Sequence, residues 1–250
     1  MEPDPASAGP APAIKVFTAG ATREGIGACA GPFRRDTGIV LESATTHGHL
    51  IRDRVIAGDS DADVVVIPAH MVEDLQHRGL ASRSDIAEVG TIRIGAAVRT
   101  GCPLPDVSSI EALRQALLGA ASVVLTEAPS GVHMDSLIDR WGLRGALEDR
   151  ITRYDTGTMV NEHLIDSTAD GEIAFGVATE ILFCRDRGVS YAGPIPDEVQ
   201  LINRYVAARL TRSDRAAESR KLLAYLATPE ARAAFARTGV EQEDADARQS

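Results

Sequence analysis

Short apolar runs alternate with amphipathic helical patterns through the first part of the chain. Strands are predicted at 14–20, 39–45 and 62–69, and helices that end at glycine are predicted at 23–38, 49–58 and 71–79. The continuous apolar run at 62–69 is typical of a parallel strand that is buried on both faces. Because strands and helices alternate in this way, the pattern predicts an open α/β sheet with right-handed crossovers.

The pattern changes at a long extended run, 91–99, which leads into a loop rich in proline and glycine. A second α/β series follows, with helices predicted at 109–120, 130–142 and near 158–167, and strands at 122–128 and 171–182. Another extended run, 199–210, precedes two final helices, and Pro229 is suited to the first turn of the second one. The pattern therefore predicts two α/β lobes joined by two extended crossovers.

The domain boundaries follow from these two crossovers, near 91–99 and 199–210. The first lobe is predicted to comprise 14–95 and 204–242, because the chain returns to it after the second crossover. The second lobe is predicted at 96–203. The acidic start, rich in proline and alanine, and the polar end predict disordered tails at 1–13 and 243–250.

The composition is that of a globular protein rather than a fibrous or membrane-spanning one. The chain has 250 residues, of which 44% are hydrophobic and 25% charged. Its net charge of −10 disfavours nucleic acids and acidic membranes as partners. Aromatic residues make up only 4%, which argues against a surface that stacks on bases or sugars. A local group of amides, hydroxyls and cations could still bind a small anion.

The three cysteines are isolated, and Cys29 lies on the apolar face of a predicted helix. They form no CxxC pair and have no metal spacing, which favours a reducing compartment and no metal site. The start of the sequence has no signal-peptide pattern, and no apolar stretch is long enough to insert into a membrane. We expect a cytoplasmic protein, or a periplasmic one if a leader precedes this sequence. Phosphate-loop, dinucleotide, serine-hydrolase and zinc-protease motifs are missing, so no cofactor is expected.

Several segments together resemble the molybdate-binding type of bacterial solute-binding protein. They are "IKVFTAGA", "FRRDTGI", "IAGDSDADVVVIPA", "EAPSGVH", "GEIAFGVATEIL" and "AYLATPEARAAFARTGVE", in that order over about 14–240. The resemblance implies the type 2 periplasmic-binding-protein fold, in which each lobe is a mostly parallel sheet flanked by helices. It also implies an oxyanion site in the cleft between the lobes, with contacts from amides and hydroxyls at helix N-termini, which suit an anion.

The resemblance places the ligand contacts residue by residue, and some positions depart from the family. Ala21 stands where the family has a serine, with Thr22 beside it. His47 and His49 lie in the turn where the family has a serine-rich run, and Arg204, within one residue, replaces a tyrosine. The ligand-binding positions implied in this way are Thr18, Ala21, Thr22, Thr46, Gly48, Ser130, Gly131, Gly176, Thr179 and Arg204.

These departures change the ligand that we expect. The family holds molybdate with neutral donors, whereas a guanidinium matches a carboxylate through two parallel hydrogen bonds. We therefore expect a dicarboxylate or tricarboxylate in preference to molybdate or another oxyanion. The protein would capture it by closure of the lobes. A transporter permease would be a further partner only if a leader precedes the sequence.

An enzyme is the alternative, because aconitate isomerase is similar to these binding proteins. It interconverts cis and trans tricarboxylates, and an allylic proton shift requires an acid and a base beside a carboxylate clamp. In such an enzyme His47, His49 and His133 would be the acid and base candidates. The clamp would consist of Arg204, Ser130 and Thr22. An intracellular ligand sensor is a third possibility.

Each candidate also has an ordinary structural explanation. His47 and His49 could cap a helix or be solvated at its start, and His133 could be a partly exposed helix residue. Arg204 could face solvent on an extended segment, and Glu180 could pair with an arginine. The remaining histidines are expected at the surface: His70, His77 and His163.

Overall fold

The computed structural model describes residues 11–242, and ten strands and ten α-helices lie within them. The strands are β1 Ala13–Ala19, β2 Val40–Thr46, β3 Val64–Pro68, β4 Ala81–Ile92, β5 Ile94–Arg99, β6 Ser122–Thr126, β7 Ile151–Tyr154, β8 Glu172–Val177, β9 Val189–Pro194 and β10 Asn203–Leu210. The helices are α1 Arg23–Thr37, α2 Gly48–Ala57, α3 Ala69–His77, α4 Ile110–Gly119, α5 Pro129–Arg140, α6 Arg144–Leu147, α7 Gly157–Asp166, α8 Ala178–Phe183, α9 Ala216–Leu226 and α10 Pro229–Ala236.

The chain divides into two compact units. Unit 1 runs to Gly90 and resumes at Arg204, and unit 2 is Thr91–Asn203. Of the predicted tails, 1–10 and 243–250 lie outside the described residues, and Ala13 is the first residue of β1. Among the described residues, no helix combines the length and apolarity that crossing a membrane requires.

Unit 1 is built on a five-stranded sheet in the order β2-β1-β3-β10-β4. Strand β1 pairs in parallel with β2 and β3, and β10 pairs antiparallel with β3. Every residue of β3 is buried, as its continuous apolar pattern predicts for a central strand. Helix α1 ends at Gly38 and α2 at Gly58, both with the positive φ that favours glycine, so these predicted helix ends are confirmed.

Unit 2 has a sheet of the same layout, in the order β7-β6-β8-β5-β9. Strand β6 pairs in parallel with β7 and β8, while β5 pairs antiparallel with β8 and β9. Successive residues of β6 enter different apolar clusters, since side chains alternate between the two faces of a sheet. Val123 packs in the cluster that contains Leu137 of α5, and Val124 packs in the cluster that contains Leu164 of α7.

The predicted α/β two-lobe fold class is confirmed, but the bounds of two predicted elements, 171–182 and 199–210, are wrong. The predicted strand 171–182 is a strand only to Val177, after which α8 begins. The predicted extended run 199–210 is a strand only from Asn203 onward, and its first residue, Val199, ends a short 3-10 turn, Asp197–Val199. The run 91–99 is the end of β4 and all of β5, which belong to different sheets. Strands β7 and β9 and most of β4 were not predicted.

Candidate functional site

Each unit has an edge of its sheet at which three parallel strands end. In unit 1 α1 packs against α9 and α10, whereas α2 packs against α3, so the helices after β1 and β2 lie on different sides of the sheet. The apolar clusters of unit 2 separate α5 from α7 and α8 in the same way. Open α/β sheets bind ligands outside the carboxyl ends of their strands, at the point where the connections change sides. Most of the predicted site residues lie at these two edges.

The helices that begin at these edges mostly lack a capping side chain. The residues that precede α2 and α5, His47 and Ala128, make no side-chain hydrogen bond to the helix. Helices elsewhere do have such caps: Ser109 accepts from a backbone amide of α4, and Thr228 does so for α10. The first backbone N–H groups of an uncapped helix have no partner one turn earlier, so those at the start of α2 are suited to hold an anion. In α5 Pro129 has no N–H and the Gly131 N–H donates to the Ala128 carbonyl at 3.0 Å, so the Ser130 N–H is the group suited to this role.

The turn after β1 uses its hydroxyl groups internally. Thr18 and Thr22 are fully buried, and their Oγ1 atoms lie 2.7 Å apart. Both hydroxyls also reach the carbonyl oxygen of Ala19, at 3.3 and 3.1 Å. These bonds fold the turn tightly before α1, with Ala21 buried inside it. The two threonine hydroxyls therefore stabilise the shape of the loop, and the backbone groups of the loop are the ones that a ligand would contact.

The turn after β2 brings two imidazoles together at the start of α2. His47 is half-buried and His49 is exposed, and their ring centroids lie 5.5 Å apart. Thr46 ends β2, and Gly48 is the first residue of α2. A Cβ placed on Gly48 would lie 3.0 Å from Pro68 Cδ, so this turn packs closely against the end of β3. Both rings are thus next to the free amides of α2.

The turn after β6 carries the predicted PSG site at the start of α5. Ser130 is buried, and Gly131 packs so closely that an added Cβ would overlap the carbonyl oxygen of Thr126. Only glycine fits at position 131, and the close approach holds the first turn of α5 against the end of β6. The amide groups of this turn are therefore fixed in place by packing.

Three other predicted site residues, Gly176, Thr179 and His133, lie in unit 2. Gly176 lies inside β8, opposite Gly95 of β5, one residue before the strand ends. Thr179 is only 3% exposed, and its hydroxyl has no hydrogen-bond partner within the described residues. The ring of His133 is bound through Nε2 to the carbonyl oxygen of Val199 at 2.7 Å.

Arg204 stands at the start of β10 with its guanidinium between two carboxylates of unit 1. Its nitrogens lie 3.3 Å from Glu88 and 3.5 Å from Glu73, and its side chain is half-exposed. A ligand carboxylate would have to compete with both of these acids. Arg204 is thus exposed to solvent, as its ordinary structural explanation expects, and its guanidinium is paired with two acids.

Of the three histidines that were expected at the surface, one, His163, is not exposed. His70 and His77 are exposed, but His163 is half-buried and bonds on both sides. Its Nδ1 lies 2.9 Å from the Tyr154 hydroxyl and its Nε2 3.0 Å from Glu172 Oε1. Within the described part of the chain, no three His, Cys, Asp or Glu side chains come together as a metal site.

One turn at the carboxyl ends of the parallel strands of unit 2 was not predicted, because β7 was not predicted. Thr156 caps α7 by accepting from the Met159 amide at 3.1 Å, and Gly157 is the first residue of that helix. A Cβ placed on Gly157 would overlap the carboxylate of Glu180 from α8. A threonine followed by glycine after the short apolar run at 151–154 is a signal that could have identified this helix start.

Known proteins are similar to this chain over most of its length. The model of a family described as bacterial extracellular solute-binding protein matches residues 14–241. The aconitate isomerase of a Pseudomonas species is 26% identical over 245 residues, which cover 94% of this chain and 89% of the isomerase.

Two solved structures are similar to the chain over nearly its whole length. The periplasmic molybdate-binding protein of Azotobacter vinelandii has a TM-score of 0.75 at 16% identity, covering 92% of this chain and 100% of the other. The sulfate-binding protein of Mycobacterium tuberculosis H37Rv has a TM-score of 0.73 at 13% identity, covering 94% and 88%. At these identities the likeness shows a shared fold, and the fold predicted from the sequence resemblance is confirmed.

Proposed function

The chain belongs to the bacterial extracellular solute-binding protein family, and on that premise we propose that it binds a small organic anion, a polycarboxylate in preference to molybdate. The observation that carries the proposal is the pair of uncapped helix starts, at His47 and Ala128, beside the carboxyl ends of parallel strands. The positive end of a helix and its unpaired N–H groups favour a negatively charged group. In this proposal the start of α2 supplies the anion contacts of unit 1, and the start of α5 supplies those of unit 2.

The side chains around these helix starts favour a ligand with a carbon skeleton. Leu50, in the first turn of α2, is 43% exposed, and Val132, in the first turn of α5, is 55% exposed. Apolar side chains at such an edge suit the methylene or alkene groups of an organic acid better than a compact oxyanion. The imidazoles of His47 and His49 add hydrogen-bond donors of a size that suits a carboxylate.

Arg204 has a supporting role in this proposal. Its guanidinium already interacts with Glu73 and Glu88, so an incoming carboxylate gains less from it than from an unpaired arginine. Thr18 and Thr22 likewise act through the shape of the first turn, because their hydroxyls are buried and bonded to each other.

A second proposal is an isomerase that moves a proton between two carbons of a cis or trans tricarboxylate. The specific support is the 26% identity to an aconitate isomerase over most of both chains. One base removes the proton from an allylic carbon. The same proton, or one from solvent, is then delivered to the carbon at the other end of the allylic system, so substrate and product have the same composition. His47 and His49 have the residue type for this task. His133 is less suited, since its Nε2 is committed to Val199.

Two further predictions depend on where the protein works. The cytoplasmic location stays a prediction, whereas the family is described as extracellular. A partnership with a transporter permease would follow from an extracellular location, and a catabolic or sensing role would follow from a cytoplasmic one.

A thermal-shift titration tests the binding proposal directly. Citrate, cis-aconitate, trans-aconitate, molybdate and sulfate are added separately, because a ligand that binds only the folded chain raises its melting temperature. We expect a larger rise with at least one tricarboxylate than with either oxyanion. Strong stabilisation by molybdate with no response to any carboxylate would contradict the proposed ligand class, and incubation with cis-aconitate followed by chromatography tests the isomerase.

A further inference from the structure

The side chain of Gln200 joins the two ends of unit 2. The chain enters this unit at Thr91 and leaves it at Asn203, so Ile94 and Gln200 each lie three residues from one of these ends. The Ile94 N–H donates to Gln200 Oε1 at 2.7 Å, and Gln200 Nε2 donates to the Ile94 carbonyl oxygen at 3.0 Å. The side chain thus pairs with both backbone groups of Ile94, as a neighbouring strand would.

The amide of Gln200 uses all of its hydrogen-bonding groups. Its Oε1 also accepts from the Leu201 N–H at 3.1 Å, and its Nε2 also donates to the Ile195 carbonyl oxygen at 3.1 Å. A glutamine amide has two donors and an oxygen that accepts two bonds, so the four bonds match its full capacity. Among side chains of similar size, glutamate has no donor and leucine has no polar group. The arrangement therefore depends on a glutamine at this position.

The segment that carries Gln200 is tied to α5, whose start supplies the proposed anion contacts of unit 2. His133 of α5 bonds through Nε2 to the Val199 carbonyl oxygen at 2.7 Å. Val199 and Ile94 also pack in the apolar cluster that includes side chains of α5. A continuous series of hydrogen-bonded groups thus runs from α5 through Val199 and Gln200 to both ends of unit 2.

We propose that Gln200 is a positioning residue that couples the two ends of unit 2, and that His133 links this coupling to α5. The Val199 carbonyl and the Gln200 N–H belong to one planar peptide group, so the bond from His133 holds the peptide from which the Gln200 side chain extends. Because both ends continue into unit 1, a shift of α5 would reach both covalent connections at the same time. An anion on the Ser130 N–H would stabilise α5 and, through it, both ends; this part rests on the proposed function.

Hydrogen exchange of individual backbone amides, measured by NMR on the full chain, tests the coupling without any ligand. The Ile94 and Leu201 amides report on the two ends, and the Val124 amide of β6, a strand paired on both sides, reports on global unfolding. His133→Ala leaves the acceptor of each of these amides in place. We nevertheless expect it to speed exchange at Ile94 and Leu201 together, by about fivefold relative to Val124, since one hydrogen bond less favours opening on that scale.

Substitutions of Gln200 test whether its amide carries the coupling. Gln200→Leu has no polar group, so in that background His133→Ala should have no further effect on the Ile94 amide. Should Gln200→Leu fail to fold, Gln200→Glu removes both donors at nearly constant size, and the effect of His133→Ala should fall there too. Gln115→Leu is the matched control, because Gln115 is exposed on α4, and it should change these rates by less than about twofold.

Citrate and cis-aconitate, each at a high concentration, test the link to the anion site. In wild type we expect at least one of them to slow exchange at Ser130 and, by about fivefold, at both Ile94 and Leu201. In His133→Ala the same anion should still slow exchange at Ser130 but no longer at Ile94 and Leu201. A purely structural role of His133 would leave the effect of the anion the same in both proteins.

The outcomes separate this inference from the proposed function. If neither these acids nor molybdate or sulfate changes the exchange of any amide, the proposed function fails, and the ligand-free comparison still decides the role of Gln200. If His133→Ala affects Ile94 and Leu201 no more than Val124, or only one of them, the coupling through Gln200 is overturned. If an anion slows exchange at Ser130 alone in wild type, the proposed function stands and the link from α5 to the ends of unit 2 is overturned.

Discussion

His133 Nε2 lies 2.7 Å from the carbonyl oxygen of Val199, which ties α5 to the short turn Asp197–Val199. Because a carbonyl oxygen only accepts, Nε2 carries the proton, and Nδ1 is left as the acceptor of the neutral ring. The bond joins segments far apart in the sequence but within unit 2. This residue therefore has a structural role whether or not unit 2 binds a ligand.

We expect His133→Ala to lower the free energy of unfolding by about 0.5–1.5 kcal/mol, the usual net value of such a hydrogen bond. Urea denaturation followed by circular dichroism gives the measurement. His70→Ala is the matched control, since His70 is exposed on α3, and its effect should stay below about 0.5 kcal/mol. Equal losses in the two variants would show that the bond to Val199 contributes nothing.

Two glycine substitutions should have opposite effects. An added Cβ at Gly131 would overlap the Thr126 carbonyl, and neither backbone can move without disturbing β6, so Gly131→Ala should cost about 1–3 kcal/mol or more. Gly27 lies exposed in α1 with no atom near an added Cβ, so Gly27→Ala should stabilise the protein by about 0.5–1 kcal/mol. Thermal melts measure both, and a stable Gly131→Ala variant would contradict the close packing.

The parts of the fold that could be predicted are those with a strong local signal. One example is β3, whose continuous apolar run indicates burial on both faces. Another is the start of α10, where Thr228 and Pro229 are residue types that favour a helix N-terminus. Helix α8 could not be separated from β8, since its residues continue the apolar run. Its start is fixed by a bond from the Ala178 amide to the Arg93 carbonyl, which the local sequence does not show.

The turns of the candidate site could be predicted from the sequence, but the directions of its side chains could not. The helix starts at Gly48 and Pro129 could be located from strand ends and glycine positions. The inward direction of Thr18 depends on the tertiary packing of the first turn. The pairing of Arg204 with Glu73 and Glu88 joins residues far apart in the chain, so no local pattern indicates it.

Acid should weaken unit 1 through Asp85, which joins β4 to β10. Hydrogen bonds from Arg209 at 2.7 Å and Arg220 at 3.1 Å hold the pKa of the Asp85 carboxyl below its usual range. A lowered pKa in the folded state means that this stabilisation is present above the unfolded pKa of about 4 and is lost as the pH falls through the folded value. We expect Asp85→Asn to cost about 1–3 kcal/mol at pH 7.

The pH dependence of this variant supplies the control. Urea unfolding at pH 7 and at pH 3 should show a smaller difference between wild type and Asp85→Asn at the lower pH, because protonation removes the same charge in wild type. A difference that stays constant over this range would show that the ion pairs of Asp85 do not titrate with folding.

The three cysteines should differ in their reaction with a thiol reagent. Burial raises the pKa of the Cys29 thiol to about 11, so at pH 8 it has little thiolate and little access to the reagent. Cys184 is also buried, while Cys102 is partly exposed. We expect one thiol per chain to react quickly in the folded protein and all three in denaturant, and Cys102→Ser should remove the fast reaction. Rapid labelling of Cys29 in folded protein would contradict its burial.

Substitutions at the start of α2 should separate binding from catalysis. His47 and His49 stand beside the open amides of α2 with their rings 5.5 Å apart, so both can donate to an anion, and a neutral imidazole can also accept a proton near pH 7. Asparagine keeps a donor but cannot act as a base at that pH. We therefore expect His47→Asn and His49→Asn to weaken tricarboxylate binding only modestly, by about 1 kcal/mol or less.

In an isomerase, at least one of the same two variants should lose turnover of cis-aconitate by about 100-fold or more, because general acid–base catalysis contributes on that scale. His77→Asn is the control, since His77 is exposed at the end of α3. Conversion is followed by chromatography, and binding by calorimetry on the same preparations. Wild type that binds aconitate without converting it is a binding protein, and full turnover in both variants would assign the two histidines to an ordinary helix start.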